Sequence, residues 1–153
     1  MARVVRRRRI AAPASALWDV ITDPYHLPRW WPNTTRVENV SEGPSAERSW
    51  TQVLGTRGGR GVRADFHCVE ESDGERYVYE QTVEGTPFER FVRRARTEIA
   101  LEPRNGDTEV TLALDRRLRG LSRLGSPMMR RAIGRTLNQA LDGLETVATG
   151  VGG

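Results

Sequence analysis

The sequence predicts one α+β domain over residues 1–153, in which a curved antiparallel sheet of about seven strands wraps around a long C-terminal α-helix, with two short helices after the first strand. Three observations carry this. Turn-forming residues punctuate the middle of the chain roughly every ten residues, the rhythm of an antiparallel meander. No helix-length segment separates those strands, which excludes parallel crossovers. The chain then closes with a long stretch whose apolar residues recur at helical spacing.

Taken in order, residues 3–10 read as a strand that Ala12-Pro13 ends. Pro13 suits an early helical position, and Ala16, Leu17, Val20 and Ile21 form one apolar helical face up to Thr22, where Asp23-Pro24 stops it. Tyr25 to Trp31 reads as a second short helical turn closed by Pro32. Further strands are expected near 35–41, 47–55, 60–71, 75–85, 88–102 and 107–117. Turns at Glu42-Gly43-Pro44-Ser45, Gly55 to Gly59, Ser72-Asp73-Gly74, Gly85-Thr86-Pro87 and Arg104-Asn105-Gly106-Asp107 join them as hairpins. Ser126 is a suitable N-cap, with Pro127 in the first helical position and Gly150 placed to end the helix. About 23 residues at 1.5 Å each make a rod of roughly 34 Å. Its stripe is Met129, Ala132, Ile133, Thr136, Leu137, Ala140, Leu141, Leu144 and Val147.

Period two divides the sheet into a dry face and a wet face. Trp50 and Leu54; Val62, Ala64, Phe66 and Cys68; Tyr77, Tyr79 and Val83; Phe91, Ala95, Ile99 and Leu101; and Val110, Leu112 and Leu114 are expected inside. Arg63, Asp65, Arg76, Glu80, Arg94, Arg96, Glu98, Glu109 and Thr111 are expected outside.

Composition narrows the function classes. The formal net charge is +4, but all 24 basic residues are arginine and 20 acidic residues are interspersed, which reads as a solvated surface and argues against nucleic acid as a partner. No apolar run approaches the ~20 residues of a membrane span. Arg6 to Arg9 precede a mildly apolar stretch, yet Trp18-Asp19 and Asp23-Pro24 interrupt it and argue against an export signal. A single cysteine, Cys68, excludes an internal disulfide and a Cys-rich zinc site, so a cytoplasmic protein without a metal or cofactor is expected. A homodimer is compatible with the sequence.

The order of strand, two short helices, meander and closing helix resembles the START-like helix-grip (SRPBCC) superfamily, in particular its bacterial polyketide cyclase/dehydrase branch. The residues that carry the resemblance are Ile10 to Pro13, Leu17-Trp18-Asp19-Val20-Ile21-Thr22-Asp23-Pro24, Pro28-Arg29-Trp30-Trp31-Pro32 and Leu137 to Glu145. It covers essentially the full chain and implies a pocket between sheet and helix. It does not imply one activity, because the same scaffold hosts enzymes, lipid carriers and hormone sensors.

A curved sheet and a straight helix cannot touch along their whole length, so a cavity is expected between them. The candidate ligand-binding residues are Trp30, Trp50, Phe66, Tyr77, Tyr79, Gln81, Phe91, Arg93, Met129, Ile133 and Leu137. Each could equally be core filling. Arg93 shares strand parity with Phe91 and Ala95, so it is expected to point inward and meet a carboxylate, phenolate or enolate. Its competing reading is an internal ion pair or a sheet-edge position. Gln81 shares the parity of Tyr77 and Tyr79 and would add a neutral contact. No catalytic residue is assigned. His67 alternates with Phe66 and Cys68 and should face water, unless the strand slips by one residue and brings Arg63, Asp65 and His67 inside. His26 reads as a surface histidine, and the glycine-rich turn from Gly55 to Gly61 as a hairpin at the pocket mouth rather than a phosphate loop.

The leading reading is therefore binding of an apolar or aromatic, lipid- or polyketide-like small molecule. One alternative is a cofactor-independent polyketide aromatase/cyclase in which Arg93 and Tyr79 orient a poly-ketone. A third is an Arg-rich nucleic-acid or protein-partner module using Arg6 to Arg9 and Arg116 to Arg135.

Overall fold

The computed structural model describes residues 2–41, 48–55, 61–119 and 126–150. The elements are β1 (Ala2–Ile10), α1 (Ala14–Ile21), α2 (Leu27–Trp30), β2 (Thr34–Ser41), β3 (Ser49–Leu54), β4 (Val62–Ser72), β5 (Arg76–Thr82), β6 (Val92–Arg104), β7 (Asp107–Leu118) and α3 (Ser126–Thr149). A 3₁₀ turn, Pro24–His26, leads into α2, capped by the Asp23 carboxylate accepting from the Tyr25 amide at 3.0 Å. The seven strands form one open sheet in the order β1-β7-β6-β5-β4-β3-β2, every neighbouring pair antiparallel. This is the expected α+β helix-grip architecture.

Local chemistry explains the joints. Asn105 and Gly106 take positive φ (51° and 92°), the backbone of a tight two-residue turn between β6 and β7. Gly150 at φ 69° ends α3, its amide bonding the Thr146 carbonyl at 2.9 Å. Register shifts interrupt β2, β4 between Cys68 and Glu70, and β6 between Val92 and Arg94, and such bulges bend a sheet. The predicted turns at 42–45 and 56–59 and the capping side chain of Ser126 lie outside the described residues.

The strand expected to run to residue 85 ends at Thr82. The strand expected from residue 88 begins at Val92, because Thr86 caps a 3₁₀ turn over Pro87–Arg90 that the fixed φ of Pro87 favours. Its last residues turn with it, so Phe91 precedes the strand instead of lying within it.

The inner face of the sheet packs on one stripe of α3: Ile133, Leu137, Ala140, Leu141 and Leu144 are buried against Val4, Ile10, Ile99 and Leu112. Ala132, expected in this stripe, is exposed. Helix α2 approaches α3 so closely that a Cβ built on Gly143 would stand 2.5 Å from the Trp30 carbonyl oxygen. The outer face carries an arginine–carboxylate lattice, with Arg94–Glu80 at 2.6 Å, Arg96–Glu98 at 3.2 Å and Arg76–Glu98 at 3.5 Å. Val78 and Ala113 are nonetheless buried on this face, consistent with cover from the aliphatic stems of such long side chains.

Candidate ligand-binding cavity

The packing of α3 on the sheet is incomplete at one end. Near the start of the helix a cavity of about 350 Å³ opens between Met129 and Thr136 on α3 and the inner faces of β3 to β7. Phe66, Tyr79, Ala95 and Leu114 are among the sheet residues of its wall, and Trp31, Phe88 and Phe91 reach it from outside the strands. Its polar lining is Gln52, Gln81, Tyr79, Thr97, Thr136 and Arg116.

Of the eleven candidates named from sequence, Phe66, Tyr79, Gln81, Phe91 and Met129 lie on this wall. Phe91 stands at its mouth, 47% exposed and edge-on to Phe88 with ring centroids 5.9 Å apart. Trp50 is one layer behind, stacked on Phe66 at 6.1 Å and edge-on to Tyr79 at 5.2 Å, its indole N–H donating to Gln52 at 3.3 Å. Tyr77, Ile133, Leu137 and Trp30 belong to the packed core. Trp30 is held there by the close crossing of α2 and α3, while the next residue, Trp31, turns to the cavity.

Arg93 is a correction. It is exposed and faces a second, outer-face depression with His67, Glu80 and Arg117. The register shift between Val92 and Arg94 reverses the alternation at that point, so Val92 takes the inward place that strand parity assigned to Arg93. By contrast, strand β4 keeps its expected register. Ala64, Phe66 and Cys68 face in, and His67 faces out, 2.9 Å from the Thr82 hydroxyl. His26 sits 3.5 Å from the Asp23 carboxylate near the surface. Cys68 is buried, and burial pushes its thiol up, as expected of a small hydrophobe.

Sequence reasoning missed Arg116. The signal was present, because Arg116 continues the inward period of Val110, Leu112 and Leu114, but it was grouped with the surface arginines. Burial works against its charge, and no neighbouring carboxylate among the described residues offsets this. A guanidinium stays protonated even so. Tyr79 is shifted in the opposite sense: burial drives its phenol well above the ordinary range, with Thr97 partly opposing, so it remains a neutral hydroxyl. The Nε2 of Gln81 is buried without a hydrogen-bond partner among the described residues. Among the described residues the wall therefore combines aromatic surface with a few hydrogen-bonding groups and one cation, Arg116, that has no carboxylate beside it. No cluster of His, Cys, Asp and Glu able to hold a metal occurs among the described residues.

Residues 1–149 match the family model described as polyketide cyclase / dehydrase and lipid transport. The chain belongs to this family. No curated protein matches the sequence. Solved structures of similar fold include a START superfamily protein from Mycobacterium smegmatis, at 13% identity and a TM-score of 0.80, covering 99% of this chain and 100% of that one. The Zhui aromatase/cyclase from Streptomyces sp. superposes with a TM-score of 0.74 at 18% identity, covering 96% of this chain and 93% of that one. The di-domain aromatase/cyclase StfQ of the steffimycin biosynthetic pathway gives 0.77 at 13% identity, with 97% of this chain matching 50% of that one. At these identities the likeness is one of fold.

Proposed function

We propose that the protein binds an apolar or aromatic small molecule, lipid- or polyketide-like, in the cavity between the sheet and the first turns of α3. The observation that carries this is the unfilled space of about 350 Å³ walled by aromatic and aliphatic side chains. That volume lies toward the lower end of the roughly 300–1,000 Å³ of small-molecule pockets. A fully packed core would leave few voids larger than a water molecule.

Binding is favoured over turnover by the chemistry of the wall. Its described polar groups are amides, hydroxyls and a guanidinium, and a poly-ketone cyclase acting by proton abstraction needs a base within hydrogen-bond reach. His67, the notable candidate base, is on the opposite face of the sheet. Among the described residues no helix is long and apolar enough to cross a membrane. The buried lone thiol of Cys68 suits a reducing compartment, and we place the protein in the cytoplasm on that ground.

The test is a fluorescence titration with the neutral dye N-phenyl-1-naphthylamine. Saturable binding of one dye per chain is expected, and it should be lost in Ala95→Phe, whose ring would occupy the cavity while the fold, followed by circular dichroism, is retained. Dye binding that never saturates, or that a folded Ala95→Phe leaves unchanged, would refute the assignment.

A further inference from the structure

We infer that the cavity selects an apolar molecule bearing one carboxylate-like acidic group, held between Arg116 and Gln81 while the rest of the ligand fills the aromatic part. This rests on the binding function proposed above and specifies its ligand class.

The argument begins with sheet register. Ala95 pairs with Arg116 across β6 and β7, and Glu80 pairs with Arg96 across β5 and β6. One residue beyond that last pair, Gln81 comes beside Ala95. Gln81 and Arg116 thus flank Ala95 on the inner face, about two strand spacings, roughly 10 Å, apart at the backbone. All three line the cavity. A methyl group between two long polar side chains leaves room above it for a head group that both could reach.

Both flanking groups lack a partner of the right kind. The amide Nε2 of Gln81 is buried with no acceptor among the described residues. Arg116 has no carboxylate beside it among them either, whereas the outer-face arginines Arg76, Arg94 and Arg96 all do. Asp115, its chain neighbour, points the other way and approaches Arg117 at 3.9 Å. In sequence, residues 56–60 and 120–125, which follow β3 and β7, contain no Asp or Glu. A half-buried cation left without a protein anion carries a desolvation cost, and its planar fork of donors matches a carboxylate in two parallel hydrogen bonds. Supplying that anion from the ligand resolves the cost. It also makes recognition depend on charge, which the otherwise neutral wall cannot supply.

The experiment compares two isosteric competitors, 2-naphthoate and 2-naphthamide, displacing N-phenyl-1-naphthylamine at pH 7. The wild-type protein should bind naphthoate at least tenfold more tightly than naphthamide. Arg116→Gln should lower naphthoate affinity tenfold or more and remove the preference for naphthoate over naphthamide. Arg116→Lys should restore part of the preference, and Arg93→Ala, on the outer face, should change none of it. Equal binding of the two competitors by wild type overturns the inference without any variant, as does a preference that survives a folded Arg116→Gln; in both cases dye binding would still support the cavity. If neither dye nor competitors bind saturably, the binding function itself falls, and this inference with it.

Discussion

Two glycines of α3 offer the same substitution with opposite expected signs. Gly→Ala in a helix interior gains about 1 kcal/mol of propensity. At Gly143 the added Cβ would lie 2.5 Å from the Trp30 carbonyl oxygen, 2.8 Å from its Cα and 3.0 Å from its carbonyl carbon. Those are backbone atoms of α2, so relief requires the two helices to move apart. Overpacking of this kind costs about 1–3 kcal/mol, and set against the propensity gain it predicts a net loss of up to about 2 kcal/mol for Gly143→Ala. At Gly134 the nearest atom is Nη2 of Arg6, 2.6 Å away, the end of a long side chain that can swing aside. Gly134→Ala should therefore stabilise by about 0.5–1 kcal/mol. Urea denaturation of both variants, with midpoints compared at equal slope, reads the difference. At about 2–4 °C per kcal/mol for a domain of this size, the two melting temperatures should lie about 1–12 °C apart, Gly134→Ala the higher. If Gly143→Ala is as stable as Gly134→Ala, the close crossing of α2 and α3 described above is wrong.

Two further perturbations separate core from cavity. Leu137 is fully buried in the core, so Leu137→Ala should cost about 2–5 kcal/mol in chemical denaturation, with any loss of dye affinity following from unfolding alone. Burial raises the phenols of both Tyr77 and Tyr79 above their unfolded value of 10.0. The folded protein then holds protons that the unfolded chain releases, so the stabilising contribution is full below about pH 10 and is lost as pH rises through the higher folded values. Denaturation midpoints should fall above about pH 10, and phenolate absorbance from these two residues should appear together with unfolding. Its appearance in the folded protein near pH 10 would contradict their burial.

The strands, their antiparallel order and both ends of the closing helix were legible because they depend on local chemistry: Asn105-Gly106, Pro13, Asp23-Pro24 and Gly150 act on their own neighbours. The dry face was legible over β7, over β4 from Ala64 to Cys68 and over β5 at Tyr77 and Tyr79, since period two holds wherever the ladder is regular; Val62, expected inside, is exposed, and Val83 lies past the end of β5 beside the outer depression. It failed at Arg93 because a bulge changes parity without leaving a glycine or proline to mark it. The division of aromatics between core and cavity was not legible. Trp30 and Trp31 are adjacent and chemically identical, and only the crossing of α2 over Gly143 decides which one is buried. Arg116 was readable from its period, but an inward arginine looks from sequence like one more of many surface arginines.

The central claim is that this space, and not another surface, receives an apolar molecule. A crystal structure of the protein with N-phenyl-1-naphthylamine tests it most directly. The account predicts the dye between Phe66, Tyr79, Ala95 and Met129, with the protein backbone unchanged; a dye seated elsewhere, or a cavity closed by repacked side chains with the dye excluded, would contradict it.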